Sequence, residues 1–157
     1  MSPVAVATYI PDILEEHVGE LAFLWGQRRT ALRDPDYTLR EIGFLEERIT
    51  AHRDGVLTVG DHALPLLEEN LGHDDPQMVF ASAYALLHSS SGTAAQRVLL
   101  AFRTAQGERL ASLGEALEHA PLAREFAPIE KLCQNGNMPV AVMAATALAF
   151  HSAIEAC

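Results

Sequence analysis

Cysteine is nearly missing from this 157-residue chain: Cys133 and Cys157 are the only two. Two thiols without metal-ligand spacing argue against a disulfide scaffold and a zinc site, and they predict a reducing compartment, the cytoplasm. Aromatic residues are scarce too, at 6% of a chain that is 49% hydrophobic. Alanine and leucine make up the difference. Helices packed closely together use that mixture, whereas sheets draw on β-branched and aromatic side chains. Basic residues are outnumbered 21 to 11, which sets the formal net charge at −10. Such a surface repels phosphate backbones, so a nucleic-acid partner is not expected, and it would suit a basic protein. No apolar run approaches the roughly 20 residues that span a bilayer. The opening MSPVAVATYIPD lacks the basic and long apolar regions of a signal peptide. Phosphate-cradling glycine loops, G-x-G-x-x-G or G-x-x-x-x-G-K, do not occur. Neither a membrane partner nor a cofactor is expected.

What the chain does have is an echo. His88, His119 and His151 follow one another at spacings of 31 and 32 residues, each closing a segment with the same apolar pattern. Val79, Leu110 and Val142 stand nine residues before them, and Ala81, Ser112 and Ala144 seven before. The outer copies match without a gap at Pro65/Pro128, Pro76/Pro139, Val79/Val142, Ala81/Ala144, His88/His151 and Ser89/Ser152. A fixed period in this range predicts stacked helical pairs, each burying its apolar face against the next. Three repeats follow, at 61–89, 93–120 and 122–155. In the first, Leu64, Leu66, Leu67 and Leu71 form one helix, His73-Asp74-Asp75 the turn, and Pro76 the first turn of the next helix. In the second, Thr93 and Gln96 predict a capping box, Gly107 the turn, and Pro121 the end. The third holds Phe126, Ile129 and Leu132, a turn at Gln134-Asn135-Gly136-Asn137, and a helix from Pro139 to about Ile154 that is apolar on nearly every face. That helix is expected to be covered on both sides, and with no polar capping helix after it the alternatives are a helix amphipathic enough to end the stack, a chain continuing past Cys157, a partner, or an uncovered end.

Residues 10–56 read differently. Pro11 starts a helix with Glu15, Glu16 and Glu20 early and Arg28, Arg29 and Arg33 late, the order the helix dipole favours. Leu14, Val18, Leu21, Trp25 and Leu32 form its apolar stripe. Asp34-Pro35-Asp36 breaks it, and Thr38 with Glu41 predicts a capping box for a second helix with the stripe Leu39, Ile42, Leu45, Ile49 and Val56. The two form an αα-hairpin. Phe23 and Phe44 fall opposite both stripes. The commoner explanation is that they touch each other or cover the hairpin's second face, and the functional one is an exposed patch that binds a partner.

Leu64, Pro65, Leu66, Leu67, Leu71, Asp74, Asp75, Pro76, Val79, Ala85 and Leu86, with Pro128, Ile129, Leu132, Pro139, Val142, Ala145 and Leu148 in the third copy, resemble the HEAT repeat. HEAT units often carry arginine after the second-helix valine, where this chain has Phe80, Ala111 and Met143, so their charged ladder is not expected. The segment IPDILEEHVGELAFLWGQRRTALRDPDYTLREIGFLEERITAHRDGV resembles the opening of an uncharacterised bacterial HEAT-like family often encoded near type VI secretion genes. Members of that family are commonly longer than this chain. The resemblance implies an interaction protein in a secretion or interbacterial-toxin setting, and no catalytic residues come with it.

Candidate chemistry is thin. One zinc ion needs nitrogens at about 2.0–2.1 Å and cannot bridge successive helical rungs, so the repeat histidines read as residues that finish helices by donating to last-turn carbonyls. Glu15-Glu16, Glu46-Glu47 and Glu68-Glu69 point about 100° apart on their helices and do not converge as an acid/base dyad. His17 with Glu20, Asp61 with His62, and His52 near Glu47 or Glu16 read as surface pairs. The chain is therefore expected to be a single all-α domain, an N-terminal αα-hairpin packed on about three HEAT-like pairs in an α-solenoid, and not an enzyme. It would bind a protein, a secreted effector or a secretion component, with Phe23, Trp25, Tyr37 and Phe44 as anchors, although Trp25 also fits the core. The alternatives are a HEAT-like enzyme acting on nucleic acid and a homo-oligomer built through the last helix.

Overall fold

The computed structural model describes residues 10–122 and 126–155. Segment 1–9 and the Cys157 thiol lie outside them, as do the side chains of Phe126 and Ile154. Among the described residues the fold is entirely helical: α1 (Pro11–Ala31), α2 (Leu39–Thr58), α3 (Leu64–Asn70), α4 (Pro76–His88), α5 (Ala94–Thr104), α6 (Gly107–His119), α7 (Phe126–Asn135) and α8 (Met138–Glu155), with a short 3-10 turn, Gly60–Ala63, leading into α3.

Local chemistry sets most of these boundaries. Pro11 and Pro76 occupy first-turn positions, where the missing N–H is not needed. Thr38 and Glu41 form the expected reciprocal capping box, and Asp75 accepts from the Gln77 N–H at 2.8 Å to start α4. Thr93 does not cap α5. Its backbone is already helical (φ −101°, ψ −17°) rather than extended, and its hydroxyl makes no bond to the first-turn N–H groups, so the second expected box is absent. Gly107 opens α6 at φ +58°, where a β-carbon would be strained. The third turn is shorter than expected, because α7 runs through Asn135 and only Gly136 and Asn137 separate it from α8.

The helices form two rows. α1, α4, α6 and α8 lie side by side in that order, and α2, α3 and α7 pack against α1, α4 and α8, with α5 against α4, α6 and α7. One continuous core runs from Leu14 in α1 to Ala147 in α8. The inner row is lined with small residues, including Ala81, Ala83, Ala85, Ala116, Ala144 and Ala147, all buried. Gly114 on α6 leaves room for the end of the Met143 side chain of α8, which stands where a β-carbon would.

Three expectations fail at the edges of this core. Leu32 and Leu39, the outermost members of the hairpin stripes, are exposed because they flank the turn that joins α1 to α2, beyond the core. α8 is not covered on both sides: Met138 is 80% exposed and Val142 58%, with Ala145 and Ala149 open beside them. Val79 and Leu110, which match Val142 in the repeat, are buried because α6 and α8 follow them in the row. Val142 has no following helix among the described residues.

Phe80 is fully enclosed at 1% exposure and stacks on Trp25 at 4.1 Å between ring centres, fastening the hairpin to the first repeat. Phe80→Ala removes that ring from a site with little freedom to collapse. It is expected to destabilise the protein by about 3–5 kcal/mol, read from the shift of a urea unfolding midpoint; a loss under about 1 kcal/mol would show that the hairpin is held elsewhere.

Candidate interaction surface

Phe23 and Trp25 are two residues apart on α1, and so about 200° apart around it. The consequence is large. Trp25 is only 4% exposed, whereas Phe23 is 54% exposed. Trp25 stacks on Phe80, tilts against Tyr84, meets the His119 ring edge-on at 4.9 Å and has the Arg28 guanidinium 4.9 Å from its ring centre. It belongs to the core and leaves the set of surface anchors. Its indole nitrogen is buried with no hydrogen-bond partner.

The other three anchors are accessible. Phe44 is 51% exposed and Tyr37 43%. No ring pair joins Phe23 to Phe44 among the described residues. The arginine of Arg40 lies 5.5 Å from the centre of the Phe44 ring, a cation–π contact that holds the ring without hiding it. The hairpin beneath is braced by Arg28 to Glu46 at 2.8 Å, Arg48 to Glu20 at 3.8 Å, and His17 Nδ1 to His52 Nδ1 at 3.1 Å. His17 therefore pairs with His52 across the hairpin, not with Glu20 along its own helix. Burial, then the neighbouring His17, pushes the His52 pKa down.

The three repeat histidines have three different jobs. His88 Nδ1 lies 2.8 Å from the Tyr84 carbonyl one turn back, which is the expected helix-ending bond. His119 has aromatic neighbours instead: its ring sits edge-on between Trp25 and Phe150. Desolvation there, reinforced by the Arg28 charge, lowers its pKa to about 4. His151 does not end its own helix, since α8 runs on to Glu155. Its Nε2 reaches across to the Leu117 carbonyl in the last turn of α6, at 2.8 Å. The residue four beyond Leu117 is Pro121, which has no N–H to offer. His151 thus caps the end of α6.

The structure also holds a second surface. Between α5 and α7 lies an open groove of about 690 Å³ whose lining includes Leu99, Leu100, Arg103, Lys131, Leu132 and Val140. The signal was present, because Gln96, Leu99, Leu100 and Arg103 repeat at helical spacing, as do Pro128, Lys131, Leu132 and Asn135. Among the described residues, no group of three His, Cys, Asp or Glu side chains is placed to hold a metal ion, and no helix is long and apolar enough to cross a membrane.

No family profile, curated protein or solved structure matches this chain.

Two histidine variants test these assignments. With a folded pKa near 4, His119 stays neutral while the unfolded chain takes up its proton near 6.5, so its contribution to stability is complete above about pH 6.5 and is lost as pH falls toward 4. His119→Phe keeps an aromatic ring between Trp25 and Phe150 and should make the melting temperature fall less steeply between pH 6.5 and 4; an unchanged slope would rule out His119 as a source. His151→Leu leaves the Leu117 carbonyl unpaired and is expected to cost about 1–3 kcal/mol in chemical denaturation. A neutral result would mean that water replaces the imidazole.

Proposed function

We propose that the chain is a non-enzymatic protein-binding module: an αα-hairpin on three HEAT-like helical pairs in an α-solenoid, docking a partner through the hairpin's outer face. The observation that carries this reading is the exposure of Phe23, Phe44 and Tyr37 on a braced hairpin, while the neighbouring Trp25 is buried. Large aromatics left half open on rigid helices suit the anchor role that such residues play at binding hot spots. The two rows of helices support the solenoid reading. The net charge of −10 favours a basic partner and raises its association rate.

The resemblance of residues 10–56 supports a type VI secretion-associated accessory, one that neutralises an effector or loads it. The setting is cytoplasmic. The double variant Phe23→Ser/Phe44→Ser changes only exposed positions, so its melting temperature should stay close to that of the parent. Quantitative affinity capture from the native bacterium, parent against variant, should show at least one protein retained more than about tenfold better by the parent, the equivalent of about 1.4 kcal/mol. Identical capture profiles would defeat the hairpin as the docking face.

The open face of α8 favours a second reading, self-association. Met138, Val142, Ala145 and Ala149 form an exposed apolar seam at helical spacing, and no Asp, Glu, Lys or Arg occurs between Met138 and Ile154. Two chains of charge −10 could approach most easily there. Sedimentation across a hundredfold range of concentration decides: a dimer abolished by Val142→Glu supports it, and a constant monomer mass removes it.

A further inference from the structure

The groove between α5 and α7 has the opposite electrical character to the rest of the chain. Five arginines, Arg28, Arg29, Arg48, Arg53 and Arg97, are held in ion pairs with carboxylates. Arg103 and Lys131, the chain's single lysine, have no such pair among the described residues, a state they share with Arg33, Arg40 and Arg109, although acids outnumber bases 21 to 11. Both line this groove, and no Asp or Glu lines it with them. Asn137 and Val140, at the start of α8, also line it, which adds the positive end of that helix's dipole.

The walls are two helix faces of the same design. On α5, Leu99, Leu100 and Arg103 lie on one face, and on α7 Lys131 and Leu132 do the same. Leu100 is 60% exposed, whereas Val140 is buried. With α5 at 11 residues and α7 at 10, the trough is roughly 15 Å long, or about three helical turns. An apolar trough between two helices, flanked by cations, accepts a third helix by ridge-into-groove packing.

We propose that this groove docks an acidic amphipathic helix of a partner protein, its apolar ridge lying on Leu100 and Leu132 and its carboxylates paired with Arg103 and Lys131. Charge complementarity selects this occupant. A polyphosphate or nucleic acid meets two cations here and repulsion everywhere else. The site is separate from the hairpin aromatics and does not depend on them.

The test uses the whole protein and a fluorescein-labelled, helix-stapled peptide of about 12 residues, with leucines on one face and glutamates flanking them. A second peptide carries lysine at each glutamate position. Anisotropy at low salt should show the acidic peptide binding at least tenfold more tightly than the basic one. The Arg103→Glu/Lys131→Glu variant should reverse that preference, and Leu100→Asp should weaken both peptides. Phe23→Ser/Phe44→Ser should bind like the parent, so failure of the groove and failure of the hairpin surface are read separately. No binding, equal binding of the two peptides, or full retention by the charge-reversed variant overturns the proposal. Displacement of the acidic peptide by decanoate at matching concentrations also overturns it, in favour of a small apolar acid as the ligand.

Discussion

Nine consecutive residues of α4, Val79 to Leu87, are buried, and everything else in the molecule is arranged around that fact. A helix without a solvent face must be enclosed on all sides, and α1, α2, α3, α5 and α6 all contact it. Its two ends are fixed chemically, by Asp75 and Pro76 at the start and by the His88 imidazole on the Tyr84 carbonyl at the finish. The Trp25–Phe80 stack then ties the hairpin to α4, and Arg29 to Glu115 at 3.5 Å adds a link from α1 to α6. That ion pair is partly exposed and contributes little stability. The hairpin is held by ring packing, and this leaves Phe23 and Phe44 on the far side of a rigid support.

Much of this order is written in short-range chemistry and could be read without coordinates. Pro11, Pro76 and the Thr38/Glu41 box mark helix starts because each acts within one turn. The burial of Trp25 and the exposure of Phe23 follow from a 200° difference around one helix. Long-range relations were not legible. The same histidine spacing produces a carbonyl bond within α4, a ring sandwich at α6 and a cross-helix cap from α8, because what faces each histidine depends on the neighbouring rung. Leu32 and Leu39 obey the helical period yet stay exposed, since a period gives direction and says nothing of where the core ends. Thr93 has the right residue type for a cap but the wrong backbone conformation.

The groove belongs to the illegible part for a related reason. Leu99, Leu100, Arg103, Lys131 and Leu132 come from two repeats, and only the stacking of α5 beside α7 brings them together. Side-chain size differs between the two places. The inner helices bury small residues, such as Ala83, Ser112 and Ala144, among their larger ones, whereas α5 and α7 turn Leu99, Leu100 and Leu132 with Arg103 and Lys131 to the groove.

That asymmetry also separates the roles of the two surfaces. The hairpin face offers aromatics on a chain whose overall field attracts basic proteins, while the groove reverses the field locally with Arg103 and Lys131. At roughly physiological ionic strength, charges more than about 8 Å apart across solvent are largely screened. A docked helix in the groove would therefore feel those two cations more strongly than the distant net −10. One acidic chain can thus carry an attraction of each sign, provided the two surfaces stay apart. The tightly packed inner row keeps them on separate elements, α1 and α2 for the aromatics and α5 with α7 for the cations.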